Sequence, residues 1–361
     1  MNQHTLRNAA RAATKATTRT LAAGVAAGIT ATGWGLVESH SYALRRRSIL
    51  REGSSAREPD AAGRSLRIIH LSDIHLMARQ KHKIEWIQKL ADSDPDFLVL
   101  TGDQLSEAQA LPSLLEALEP FRGIPGAFVF GSHDYHSPQI SNPAAYLFDR
   151  SHDDGAPTPN VPQDPWANRD LPWQEMASAF EDAGWINLNN ARGRVRIGQW
   201  EVDLVGVDDP HINLDEFPAV NNGEDSEPLV ATEPSGPSSA GSVLSVKIGL
   251  THAPYKRVLN SMVDDGCDLV FAGHTHGGQI CIPKVGALVT NCDLEREFAS
   301  GLFQWPPTGA EVLSGDGSVP TLRDNHGTAW VNVVTGLGTS PYSPVRIACR
   351  PEAVQVDLII I

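Results

Sequence analysis

LRIIHLSDIH, residues 66–75, is a short apolar run rich in β-branched residues that ends on Ser72-Asp73-Ile74-His75. Such a run reads as a strand with a polar signature at its carboxyl end. The layout recurs along the chain. FLVLT (97–101) leads into Gly102-Asp103, AFVF (127–130) into Gly131-Ser132-His133-Asp134, SVKIGL (245–250) into Thr251-His252, and DLVFA (268–272) into Gly273-His274-Thr275-His276-Gly277-Gly278. Helical patterns near His82 to Asp92 and Glu107 to Leu118 separate the first three runs. Strand, helix, strand, helix, strand is the signature of crossover units with parallel pairing. Later runs, RVRIG (194–198), EVDLVGV (201–207), AWVNVVTG (329–336) and VQVDLII (354–360), are strand-like with few helices between them. The pattern predicts an α/β chain, a mixed β-sandwich flanked by helices.

Carboxyl ends of strands are where open α/β sheets bind ligands. Taken singly, each signature is also a common turn: Asp-x-His can be a capping Asp, and Gly-Asp is a frequent turn dipeptide. His274 and His276 say more, because alternate residues of an extended segment point the same way and two imidazoles so placed suit one metal centre. Five carboxylate or imidazole clusters, each at a strand end, are hard to explain as independent turns.

In their order, DIH, GDQ, GSHD, THAP and GHTHGGQI resemble the motifs of the calcineurin-like metallophosphoesterases. HLSDIHL, GHTHGGQICIP and GLGTSPYSPVRI (336–347) are most similar to the membrane-associated bacterial branch that includes the YkuE and YaeI proteins. The resemblance spans most of residues 66–361. It implies one metal on Asp73, His75 and His276, another on His252 and His274, and Asp103 bridging the pair. It also implies His133 as proton donor or phosphoryl stabiliser, with Asp134 orienting the loop or the imidazole. Oxygen and nitrogen ligands without thiolate suit two divalent ions of Mn, Fe or Zn. Two such ions can share a hydroxide and attack phosphorus in line without a protein nucleophile. One position departs from the family: Ser132 stands where GNHD supplies an Asn ligand, so the second metal is expected to be held less tightly.

Asp208 and Asp209 follow another strand and either face the cleft or cap a turn; His211 is a weaker candidate. Trp166, Trp173 and Trp185 could line a lid, with core packing the expected use of at least two. Cys267, Cys281, Cys292 and Cys349 form no CxxC pair; a Cys281–Cys292 bridge is the one functional pairing to weigh against free thiols.

The N-terminal region has the layout of an anchor. Arg7, Arg11, Lys15 and Arg19 precede an uncharged run, Thr20 to Val37, and Arg45, Arg46 and Arg47 follow it. A membrane helix at about 20–37 is the favoured reading. A cleaved signal peptide lacks its Ala-x-Ala site, and a surface helix is the other alternative. Basic residues on both flanks leave orientation open. Residues 51–65 read as a linker, with the catalytic domain over 66–361 and polar insertions near 150–172 and 221–242. Residues 1–51 carry +7, leaving −21 of the overall −14 for the rest. That acidic body makes nucleic acid an unlikely partner and disfavours a nuclease. A phosphorylated small molecule or a lipid-linked substrate at a membrane is expected. The resembled branch includes cleavage of the pyrophosphate of UDP-2,3-diacylglucosamine. The reading from a different class is a non-catalytic, membrane-anchored metal-binding or docking module.

Overall fold

The computed structural model describes residues 26, 28–51, 65–138, 169–219, 230–231, 244–307, 320–322, 327–339 and 343–360. In chain order the first strands are β1 (Ala43–Arg51), β2 (Ser65–Leu71), β3 (Phe97–Thr101), β4 (Gly126–Val129), β5 (Trp185–Asn187), β6 (Ala191–Ile197), β7 (Trp200–Gly206) and β8 (Val230–Ala231). They are followed by β9 (Leu244–Leu250), β10 (Leu269–Ala272), β11 (Cys281–Ile282), β12 (Gly286–Ala287), β13 (Gly301–Trp305), β14 (Thr321–Leu322), β15 (Ala329–Val333) and β16 (Glu352–Ile360). One sheet has the order β14-β1-β16-β2-β3-β4-β5 and the other β13-β15-β10-β9-β7-β6-β8; β11 and β12 form a separate hairpin.

The sheets pack face to face over a core that includes Ile68, Phe97 and Val99 from the first and Val202, Ile248 and Phe271 from the second. Helices Lys81–Gln88, Leu111–Leu118 and Trp173–Asp182 cover the outer face of the first sheet through Ile84, Ile87, Leu114 and Phe180. Helix Lys256–Asp264 covers the second through Val258, Leu259 and Met262. β3 is accordingly buried at all five positions, as expected of a parallel strand covered on both sides. Parallel runs β2-β3-β4-β5 and β7-β9-β10-β15 bring their carboxyl ends to the site. The expected mixed β-sandwich flanked by helices is therefore the fold.

The N-terminal boundary differs from expectation. Residues 43–51, taken with the anchor and linker, form β1, which pairs with β16 in parallel along its whole length and buries Ile49 between the sheets. Three consecutive arginines hide the strand alternation; Arg45 makes an ion pair with Glu352 at 2.8 Å. Residues 28–38 are helical, and the rest of the expected 20–37 helix, residue 26 apart, lies outside the described residues. Among the described residues no helix is long and apolar enough to cross a membrane. The insertion near 150–172 lies outside them but for 169–172, as does that near 221–242 but for β8, which pairs with β6.

Because β1 fills the gap between β14 and β16, a chain begun at residue 52 would expose the β16 edge. Thermal denaturation should place its Tm more than about 5 °C below that of the full chain, or find it aggregated. An unchanged Tm would show that β1 is dispensable.

Candidate metal centre

Each chemical group leaves its strand at a sharp turn. Asp73, His75, Asp103, His274 and His276 all have positive φ, between 43° and 69°. Asp and His tolerate this region better than most residues, and such strain collects at functional sites. Backbone ties hold the turns together: the amides of Asp73 and His75 donate to the carbonyls of Gly102 and Asp103, each at 2.9 Å. The His274 amide donates to the Asp73 carboxylate at 3.0 Å. Gly273 lies so close to Ser72 and Asp73 that a Cβ there would collide with both.

Oδ2 of Asp103 lies 3.4 Å from His75 Nε2 and its Oδ1 3.6 Å from His252 Nε2, so one carboxylate reaches both halves of the site. His276 Nε2 is 3.6 Å from Asp73 Oδ1, and the rings of His75 and His276 stack at 5.2 Å. Potential ligand atoms of Asp73, His75 and His276 lie within 4.8 Å of one another, as do those of Asp73, Asp103 and His252. His274 stands beside the second set, its Nδ1 3.3 Å from His252 Nε2.

Hydrogen bonding aims the free nitrogens. The Thr101 carbonyl accepts from His252 Nδ1 at 2.7 Å and the Asn291 carbonyl from His274 Nε2 at 3.0 Å. Both bonds need an N–H on those atoms, so the two nitrogens left facing each other beside Asp103 can share a proton or a cation. Both nitrogens of buried His75 lack a hydrogen-bond partner among the described residues. Buried polar atoms normally have partners, so this donor set fits divalent cations. Burial holds the pKa of His75 and His274 well below the ordinary range and that of His276 at about 4, where Arg346 also opposes protonation. Burial works against charge on His252 too, but Asp103, Asp209 and Asp73 outweigh it and raise its pKa to about 9. Asp103 shows the reverse balance: His252, His133 and His75 overcome its desolvation and lower its pKa.

The GSHD turn closes the site from β4. His133 donates its amide to Asp103 Oδ1 at 2.8 Å and directs Nδ1 at the His136 carbonyl at 3.0 Å; its ring lies 5.2 Å from that of His75. The Asp134 carboxylate accepts the amides of Asp103, Gln104 and Gly131 at 2.7–2.9 Å. It ties two loops together and does not reach an imidazole through any described hydrogen bond. Ser132 opens the one-turn helix Ser132–Tyr135, and its hydroxyl has no described hydrogen bond.

Several residues were not singled out by sequence. Arg346 is fully buried and donates to the carbonyls of Thr335 at 2.6 Å and Gly338 at 2.7 Å, with a longer contact to His276 Nδ1. Lys83 is buried and donates to the Ile74 carbonyl at 2.7 Å; burial, assisted by Arg346, lowers its pKa to about 7. His70 joins the sheets, meeting Thr101 Oγ1 at 2.8 Å and Asn332 Nδ2 at 2.9 Å. Arg346 lies in the GLGTSPYSPVRI motif, whereas a lysine in a helix gives no signal of burial.

Asp209 caps the turn Pro210–Ile212, and Asp208 accepts from the Tyr135 hydroxyl at 2.8 Å. Asp209 therefore caps a turn, and its buried carboxylate also acts on His252. His211 reaches the centre, its ring 4.3 Å from that of His274. Trp173 packs on Tyr135 and Trp185 on Phe180; Trp166 lies outside the described residues. All four cysteines are free. Cys281 neighbours Cys349, not Cys292 as weighed above: both thiols point at the Gly277 carbonyl, at 3.1 and 3.5 Å.

The profile of the family described as calcineurin-like phosphoesterase matches residues 66–278, more than half of the chain. The chain belongs to this family and is a phosphoesterase hydrolase. It is 27% identical over 243 residues to the uncharacterized metallophosphoesterase YkoQ of Bacillus subtilis, covering 65% of this chain and 70% of that protein. A Bos taurus transmembrane protein with a metallophosphoesterase domain is 28% identical over 302 residues, covering 81% of this chain and 53% of its own length. The UDP-2,3-diacylglucosamine pyrophosphatase LpxG of Chlamydia muridarum is 28% identical over 273 residues, covering 67% and 74%.

Replacing Arg346 with Met should weaken metal binding about 10–100-fold, the usual range for a group that orients a ligand. Competition with a chelating dye would measure it. Unaltered affinity in a folded variant would remove Arg346 from the support of His276.

Proposed function

We propose that the chain hydrolyses a phosphoester or pyrophosphate bond at a dinuclear centre. Asp73, His75 and His276 would hold one ion, His252 and His274 the other, and Asp103 would lie between them. The observation that carries this reading is the facing pair of nitrogens on His252 and His274 beside a carboxylate, together with a buried His75 whose ring nitrogens have no hydrogen-bond partner among the described residues. Divalent ions, when bound, would activate water and neutralise charge on the phosphoryl oxygens. His133 would donate a proton to the leaving oxygen, while Asp134 keeps its loop against Asp103. Ser132 would contribute a weak ligand to the second ion.

The substrate we favour is lipid-linked, and a nucleotide diphosphate lipid is one such class. Support comes from the name of the chlamydial relative, a UDP-2,3-diacylglucosamine pyrophosphatase, and from the uncharged N-terminal run Thr20 to Val37 with its basic flank. On this reading the N-terminal segment tethers the enzyme to a membrane, with no side assigned. Ser132 is the specific feature that favours the other reading, a metal-binding or docking module without turnover.

The full chain, metal-stripped and reconstituted with Mn²⁺ or Zn²⁺, should cleave bis-p-nitrophenyl phosphate, and Asp103→Asn should abolish that activity. A folded, metal-loaded protein without turnover would support the docking module. Ser132→Asn should tighten the weaker of two calorimetrically resolved metal sites; two equally tight sites in the original chain would refute the weak-ligand assignment.

A further inference from the structure

Among the described residues, every exposed large hydrophobic side chain lies on one of two segments. Ile29, Trp34, Leu36 and Val37 are on helix 28–38, and Ile282 and Val285 are on the β11–β12 hairpin, with exposures between 42% and 73%. These segments are far apart in sequence but clasp one loop, 343–349. On one side the Gly35 carbonyl accepts from the Arg346 amide at 3.1 Å, and Glu38 accepts from the amides of Ala348 at 3.1 Å and Cys349 at 2.7 Å. A Cβ at residue 35 would collide with Val345, so glycine permits this close approach. On the other side the Ile347 carbonyl accepts from the Cys281 amide at 2.8 Å, and Gln279 donates to the Val345 carbonyl at 3.0 Å.

We infer that helix 28–38 and hairpin 281–287 form one lipid-docking face that seats on an anionic bilayer and brings the adjoining phosphoesterase centre to lipid headgroups. Chemistry selects this occupant. The chain enters the helix from an uncharged run beginning at Thr20, preceded by Arg7, Arg11, Lys15 and Arg19, and exposed Lys284 stands at the hairpin tip. Apolar side chains with basic neighbours are the composition of interfacial membrane elements, and Trp is favoured at that depth. Residues 52–361 carry −21, which repels an anionic surface elsewhere and helps select the orientation. The hairpin begins three residues after the His276–Gly278 turn, so docking its tip places the centre beside the interface. From the clasped loop, Arg346 also reaches His276, linking the face to the site.

The inference extends the membrane reading above but has a separate readout. Hydrogen exchange of the full chain would be followed with phosphatidylcholine vesicles, with and without phosphatidylglycerol. We expect residues 280–288 to exchange more slowly on the anionic vesicles, and Ile282→Asp with Val285→Asp to remove that slowing. Cleavage of a vesicle-embedded phosphodiester should fall at least about tenfold in the double variant, since two apolar contacts are lost. Turnover of soluble bis-p-nitrophenyl phosphate and Tm should be unchanged, showing an intact fold. No slowing at 280–288, or equal slowing in the variant, would overturn the docking face. So would self-association without vesicles that the same substitutions abolish, because it would place a second copy there. Failure of soluble turnover in the original chain would instead strike the hydrolase reading and leave the exchange result interpretable.

Discussion

The confrontation of His252 Nε2 with His274 Nδ1, 3.3 Å apart and beside Asp103, is the constraint around which the rest of the site is arranged. Each imidazole has its other nitrogen committed to a backbone carbonyl, so neither can turn away without losing a buried hydrogen bond. Two lone pairs and a desolvated carboxylate repel one another unless a proton or a cation lies among them. A folded chain that maintains this geometry therefore holds a place for a proton or a cation. Carboxylates raise the pKa of His252 to about 9, which fits a proton occupying the position in a cation's absence.

Maintaining that arrangement needs support from both sheets. The Thr101 carbonyl receives His252 from the second sheet, while the Thr101 hydroxyl meets His70, which in turn meets Asn332. Asp134 ties the loops after β3 and β4, and Lys83 fixes the carbonyl of Ile74. Arg346 satisfies the carbonyls of Thr335 and Gly338 beneath His276. Its own loop is held by Glu38, so the N-terminal helix is continuous with the structure that supports a proposed ligand.

Sequence conveyed the elements whose periodicity was uninterrupted. FLVLT and DLVFA are nearly wholly apolar because both faces of their strands are buried, and their polar ends marked the groups the fold gathers. β1 was illegible because Arg45, Arg46 and Arg47 override the alternation that its partner β16 supplies in three dimensions. Helix Lys256–Asp264 was missed behind its charged and polar residues, although Val258, Leu259 and Met262 line one buried stripe. Among the residues the fold gathers, Asp73, His75, Asp103, His252, His274 and His276 were legible by type and position. Lys83 and Arg346 did not, because burial of a cation is a tertiary property that no local pattern encodes.

Anomalous X-ray diffraction from Mn²⁺- or Zn²⁺-loaded crystals of the full chain, collected at the metal edge, would locate the bound ions. Two peaks about 3.5–4 Å apart are expected, one among Asp73, His75 and His276 and the other against His252 and His274, with Asp103 touching both. A single peak, or a second one remote from His252 and His274, would contradict that arrangement.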